Sequence, residues 1–151
     1  MAQVIAEKSE ESVLLSTFYV RGALCGLDAA GVQEVIRVGA VTKVRNASDE
    51  ITGIVNLRGR IVTILDIGLK LGFPKAQPGP ESRVFIVEDR GEFIGFLVDR
   101  GAEVVEVVQT EWQPPPANVP AQQARYLKGV CRAGGKVIAL LDASRILSTT
   151  D

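Results

Sequence analysis

The chain carries one stretch twice. Ile51-Thr-Gly-Ile-Val-Asn-Leu-Arg-Gly-Arg-Ile-Val-Thr-Ile-Leu-Asp66 aligns without a gap on Leu127-Lys-Gly-Val-Cys-Arg-Ala-Gly-Gly-Lys-Val-Ile-Ala-Leu-Leu-Asp142, at a constant offset of 76 residues. Gly53 falls on Gly129, Gly59 on Gly135, Arg60 on Lys136 and Asp66 on Asp142, and the match runs on to Leu71 and Leu147. Each copy is an apolar run, a glycine turn, a second apolar run and an aspartate, the pattern of a β-hairpin leading into a helix start. A looser echo relates Thr17–Val35 to Val84–Val105: strand, glycine turn, strand with an inner glycine, then a valine-rich segment. Two similar β units, each too small for a generous core alone, pack most economically as a pair of small barrels. The expected fold is all-β with short helices.

The remaining apolar residues agree with this. They come in short bursts that read as strands over 13–20, 23–27, 35–44, 51–57, 60–65, 83–87, 93–98, 103–108, 127–131 and 137–141. Arg21-Gly22, Arg90-Gly91 and Gly134-Gly135 supply hairpin turns. Short helices are expected after Asp28 (29–34), Asp66 (67–71) and Asp142 (143–147), each aspartate accepting the free N–H groups of a first turn. Prolines at 74, 78 and 80, and again at 114–116 and 120, mark 73–82 and 113–122 as connections. The domain is expected to span 13–148, after a flexible N-terminal tail of 1–12, with 148–151 mobile as well.

Composition removes several functions. The 17 basic and 18 acidic residues leave a net charge of −1, and only 5% of residues are aromatic, so there is neither a basic footprint nor a stacking platform for nucleic acid. The longest uninterrupted apolar run, Val137 to Leu141, is far too short to cross a bilayer, and the Glu- and Lys-containing N-terminus is not a signal peptide. No direct membrane insertion is expected, and the chain reads as cytoplasmic. Cys25 and Cys131 sit singly in apolar segments; they are either two buried thiols, the preferred reading, or one disulfide.

Catalytic chemistry finds little to work with. There is no histidine, the commonest general base and metal ligand near neutral pH. No phosphate-cradling loop of the Gly-x-x-x-x-Gly-Lys type occurs. Asp28, Asp66 and Asp142 already have capping roles, Asp99 and Arg100 read as a turn pairing locally, Glu103 and Glu106 as solvated, and Trp112 as the anchor of the proline loop. Catalytic residues, metal ligands and cofactors are therefore all expected to be absent, and the chain to be no enzyme.

One turn departs from the frame. Asn56-Leu57-Arg58-Gly59 corresponds to Arg132-Ala133-Gly134-Gly135 in the second copy. The repeat keeps its final glycine but not Asn56 or Arg58, so the fold does not require those side chains and they are available for binding.

These residues resemble a known family. Gly53-Ile-Val-Asn56-Leu57-Arg58-Gly59-Arg-Ile-Val-Thr-Ile-Leu-Asp66 is similar to the signature of the CheW family of chemotaxis coupling proteins; Gly95-Phe-Leu-Val-Asp99-Arg100 resembles a second family motif and Val32-Gln33-Glu34-Val35-Ile36 a third. The likeness spans Val13 to Leu147. Thr63, where the family usually has proline, departs from it and bears only on local rigidity. The resemblance implies two intertwined five-stranded β-barrels and a non-enzymatic adaptor. Its implied partners are the cytoplasmic tip of membrane chemoreceptors and the regulatory domain of the histidine kinase CheA, so that the chain joins membrane arrays through them. It implies a receptor- or partner-facing set of Val32, Glu34, Gly53, Asn56, Arg58, Val84 and Val104, and a kinase-facing set of Leu15, Phe18, Leu24 and Leu27. A paralogue serving another sensory array, such as one for type IV pilus motility, fits the same residues. A form fused to a receiver domain is not expected, since the chain ends soon after Leu147.

Overall fold

The computed structural model describes residues 12–148. Ten strands form in chain order: β1 (Ser12–Val20), β2 (Ala23–Asp28), β3 (Val32–Arg37), β4 (Ile51–Leu57), β5 (Arg60–Asp66), β6 (Arg83–Asp89), β7 (Glu92–Val98), β8 (Arg100–Val108), β9 (Leu127–Ala133) and β10 (Lys136–Leu141). Three short helices join them: α1 (Ile67–Lys70), α2 (Ala121–Ala124) and α3 (Ala143–Ser148). Most of the expected tail, 1–11, and the terminal 149–151 lie outside the described residues.

The strands make two five-stranded sheets. Sheet A runs β8-β1-β2-β10-β9 and sheet B runs β3-β6-β7-β5-β4. Advancing every strand of sheet A by five places, with β8, β9 and β10 returning to β3, β4 and β5, gives sheet B. The chain is thus two copies of one five-strand unit, β1–β5 and β6–β10, that have exchanged their first hairpins. That exchange is the intertwining, and it explains why neither unit has a sheet of its own.

Each sheet curls around a private core. Leu15, Leu24, Val107, Cys131, Ile138 and Leu140 bring all five strands of sheet A into one apolar cluster. Ile36, Val55, Val62, Ile64, Val84, Ile86 and Leu97 do the same for sheet B. The opposite faces meet in a shared core that includes Phe18, Leu27, Leu65, Phe85, Phe96, Leu141 and Ile146. Central strands such as β6 therefore bury both faces, which is why Val84 to Val87 read as an unbroken apolar run. The hydrogen-bonded ladders do not close into full barrels: each sheet keeps a seam, between β8 and β9 in A and between β3 and β4 in B.

Local chemistry explains the turns. Arg21-Gly22, Arg58-Gly59, Arg90-Gly91 and Gly134-Gly135 all have two successive positive φ angles, 46° and 84°, 51° and 85°, 54° and 84°, and 57° and 78°. This is the mirror-image turn whose twist suits tight hairpins. Asp28, Asp66 and Asp142 cap as expected: Asp66 Oδ1 accepts the Leu69 N–H at 3.1 Å, while its Oδ2 accepts the Ala76 N–H at 2.7 Å and pins the following connection. Arg21 binds Asp99 through its backbone N–H at 2.5 Å and through Nη1 at 2.6 Å, and donates from Nη2 to the Pro74 carbonyl at 2.6 Å. Asp99 thus serves a contact between the sheets, and Arg100 stacks on Tyr19 at 4.3 Å. Trp112 packs against the private core of sheet A.

Four expectations on element boundaries are corrected. The helix over 29–34 is one 3-10 turn, Ala29–Gly31, because β-branched Val32, Val35 and Ile36 pair with β6 instead. The strand over 35–44 starts at Val32 and ends at Arg37; beyond it only Thr42 rejoins a ladder, opposite Ile54. The strand at 103 begins at Arg100, and the proline loop ends in α2, whose first turn Pro120 opens.

Candidate partner-binding surface

Glu34 and Arg58 come from the two free edges of sheet B. β3 alternates exposed and half-buried residues as an edge strand should, with Gln33, Val35 and Arg37 outward and Glu34 and Ile36 toward the seam. Arg58 stands at the first central position of the β4–β5 turn and crosses that seam. Its guanidinium grips the Glu34 carboxylate with both terminal nitrogens, Nη1 to Oε2 at 3.2 Å and Nη2 to Oε1 closer still. The Arg58 hydrogen bonds and charge hold the Glu34 carboxyl below the usual carboxylate range, and Glu34 raises the arginine in return. The pair remains accessible, with side-chain exposures of 68% for Arg58 and 34% for Glu34.

Asn56 has a different task. Its Oδ1 accepts the Gly59 N–H at 2.9 Å, holding the turn that carries Arg58. In the same seam, beside the pair, lies a cleft of about 200 Å³ lined by Ile36, Val38, Val55, Leu57 and Val84 with Arg37 and Asn56 among them. The surface thus combines a fixed, forked cation with a narrow apolar slot.

The other residues implied by the resemblance are placed as follows. Val84 is 2% exposed and forms the floor of the slot. Gly53 lies in β4 where the seam shuts at its other end: a Cβ there would land on the Thr42 carbonyl oxygen. Val32 lines a separate cleft of about 220 Å³ between the sheets, beside Leu27, Val87, Leu141 and Leu147. Val104, 59% exposed, stands on β8 in sheet A. The structure therefore unites Glu34, Asn56 and Arg58, with Val84 below them, and sets Gly53, Val32 and Val104 apart. Of the kinase-facing set, Leu15, Phe18 and Leu27 are core residues and Leu24 is half-buried against the core of sheet A. The outward side chain on β1 is Leu14, 54% exposed. Burial phase along β1 breaks at a bulge between Ser16 and Phe18, which alternation alone does not reveal. The Glu34–Arg58 pair, 24 residues apart, had no signal in the spacing either.

Among the described residues, no three His, Cys, Asp or Glu side chains converge as metal ligands would. No helix there is long and apolar enough to cross a membrane.

Two hairpin-exchanged β units around three apolar cores, with clefts at their seams, define a binding scaffold. The chain belongs to the CheW family: the CheW-like domain profile matches residues 15–151. The chemotaxis protein CheW of Treponema pallidum is 29% identical over 147 residues, covering 95% of this chain and 86% of that protein. Its counterpart in Klebsiella aerogenes is 32% identical over 130 residues, covering 83% and 76%. The crystal structure of the scaffolding protein TtCheW from Thermoanaerobacter tengcongensis superposes with a TM-score of 0.78 at 30% identity, over 86% of this chain and 84% of that one. The family is one of chemotaxis scaffold proteins, not enzymes, and this chain shares its two-subdomain β fold.

Proposed function

We propose that this protein is a cytoplasmic coupling scaffold that joins the helical tip of chemoreceptors to the histidine kinase CheA. The observation that carries the receptor side is the Glu34–Arg58 fork beside a largely apolar slot in the same seam. A helix laid along a sheet edge presents apolar side chains at one spacing and carbonyl or carboxylate oxygens at another, and a slot with an oriented guanidinium matches both. Asn56 acts mainly by holding the turn, and Val84 supplies the floor of the slot. Gly53 and Val32 serve the fold and the inter-sheet cleft.

On the kinase side, Leu15, Phe18 and Leu27 are buried, and Leu24 half-buried, so Leu14 on β1 with Val104 on the paired strand β8 offers the outward apolar patch of sheet A. An exposed patch of this kind suits a partner of similar β architecture.

The test is kinase stimulation in a reconstituted mixture of receptor membranes, CheA and this protein. Arg58→Ala and Arg58→Lys are expected to lower stimulation at least about tenfold, with wild-type melting. Full stimulation by Arg58→Ala would remove the receptor assignment from this surface.

A further inference from the structure

The two sheets follow one plan and differ where their edges meet. Val35 opposite Phe85 corresponds to Val104 opposite Ser16, and Ile36 opposite Val84 to Val105 opposite Leu15, a constant offset of 69 residues. The second hairpins correspond at the repeat offset of 76 residues. Glu34 of sheet B then falls on Glu103 of sheet A, Leu57 on Ala133, Arg58 on Gly134 and Phe93 on Leu24.

Sheet B fills its own seam with these larger residues. Leu57 joins the private core from the edge, Phe93 packs on that core, and Arg58 crosses to Glu34. Only about 200 Å³ is left at that seam. Sheet A has alanine, leucine and glycine in their places, and its seam is a cleft of about 780 Å³. Leu24, Val105, Ala133 and Ile138 line it, with Glu103 at the rim.

The electrostatics point the same way. Two cations also line this cleft, and both lean on Tyr19 and not on a rim carboxylate: the Arg100 guanidinium sits 4.3 Å from the Tyr19 ring centroid, and Lys136 Nζ donates to the Tyr19 hydroxyl at 3.2 Å. Among the described residues, no ion pair reaches Glu103 or its neighbour Glu106. The apolar walls lack a side chain and the rim carboxylates lack a cation, the two things Leu57 and Arg58 supply in sheet B. The flanking strands β8 and β9 form no hydrogen-bonded ladder with each other along this edge, and the segment after β8 bridges β9 at Gln113 and Val130 beyond it. Open strand edges accept extended protein segments.

We infer that the seam of sheet A is a docking site for another protein that inserts a turn carrying a large apolar residue followed by arginine, filling the place that Leu57 and Arg58 fill in sheet B. The arginine pairs with Glu103 and the apolar side chain enters the pocket left by Ala133 and Gly134. This surface is distinct from the Glu34–Arg58 surface, so it stands or falls independently of the proposed receptor contact.

The test uses the full chain and cyclised hairpin peptides with Leu-Arg-Gly or Leu-Ala-Gly at the turn, titrated by amide NMR. The Leu-Arg-Gly peptide is expected to give saturable shifts centred on Leu24, Glu103, Val105 and Gly134. Replacing its arginine, or introducing Glu103→Gln, is expected to weaken binding about tenfold. The Ala133→Leu/Gly134→Arg variant copies sheet B and plugs the seam from within; Gly134 has φ 57° against 51° for Arg58, so the turn accepts the change. It should bind no peptide and melt no lower than wild type. Glu103→Gln, on the exposed rim, keeps the test decisive if the plugged variant is unstable. Absence of shifts at these residues up to about 1 mM peptide, equal binding of both peptides, or unimpaired binding by the folded plugged variant would overturn the inference. So would self-association of the wild type that the plug abolishes, since the occupant would then be a second copy.

Discussion

The Thr42 carbonyl oxygen stands where a side chain at Gly53 would begin, and the Gln113 carbonyl oxygen stands in the same relation to Gly129. In both sheets the segment after one edge strand crosses the opposite edge at a repeat glycine. Thr42 and Ile54 exchange backbone hydrogen bonds of 2.9 and 2.8 Å, and Gln113 and Val130 exchange bonds of 2.8 and 2.7 Å. Ile54 and Val130 are themselves repeat equivalents. Of the two glycine pairs the copies share, Gly53 and Gly129 are thus the pair that lets both seams shut.

Gly53→Ala and Gly129→Ala should each destabilise the fold by about 2–4 kcal/mol, because backbone must move to admit a Cβ. Gly59→Ala, at φ 85° with open space around it, should cost only about 1 kcal/mol. Urea unfolding of the three variants checks the order. Loss of partner binding by Gly53→Trp is then expected to follow unfolding and not bulk in a groove; a well-folded, non-binding Gly53→Trp would contradict this.

Lys70 is buried on α1, with Nζ 3.1 Å from Glu50 and 5.6 Å from the Tyr126 ring centroid. At the repeat offset Lys70 becomes Ile146 and Glu50 becomes Tyr126, both in the shared core. One copy thus uses an ion pair where the other uses apolar contact. Glu50→Ala should cost about 1–3 kcal/mol by leaving a buried ammonium without its carboxylate, whereas Lys70→Ile/Glu50→Tyr should be neutral or stabilising. Thermal melts of single and double variants decide it.

Glu34 should titrate below an ordinary glutamate, because Arg58 binds its charged form. With the folded value depressed, the pair's contribution is present above the ordinary glutamate range and fades as pH falls through the folded value. Arg58→Ala should return Glu34 to the ordinary range. Carboxyl NMR titration of both proteins checks this, and an unchanged Glu34 curve would show that the fork is not kept in solution.

Cys25 and Cys131 are both buried free thiols, so the disulfide alternative is set aside. They lie in different cores, Cys25 in the shared one and Cys131 in that of sheet A. Burial pushes the Cys25 thiol up to about 12 and raises Cys131 as well. Neither should react with iodoacetamide at pH 8 until the protein unfolds, as mass spectrometry across a urea series would report.

Much of the fold was legible because the repeat and the glycine turns are local patterns. The hairpin at 51–66, its copy at 127–142 and the three aspartate caps needed only short-range chemistry. The boundary of β3 was missed because Asp28 gives a cap signal that tertiary pairing with β6 cuts short after one turn. The joint burial of Leu15 and Phe18 was not legible because β1 changes the core it faces at its bulge, so nearby buried residues serve different clusters. Asn56 and Arg58 stood out as side chains that the second copy lacks. Their separate roles, one holding the turn and one crossing the seam, depend on Glu34 arriving from another strand.

The central claim is that Arg58 meets a partner and does more than tie β3 to β4. Exchanging the charges, Glu34→Arg/Arg58→Glu, keeps an exposed ion pair across the seam, and exposed pairs of this kind contribute little to folding. Co-sedimentation of this variant with receptor membranes and CheA is the direct measurement. Wild-type melting with recruitment reduced at least about tenfold is the predicted result. Recruitment restored to the wild-type level by the exchange would mean that the pair serves only the seam, and would contradict the account.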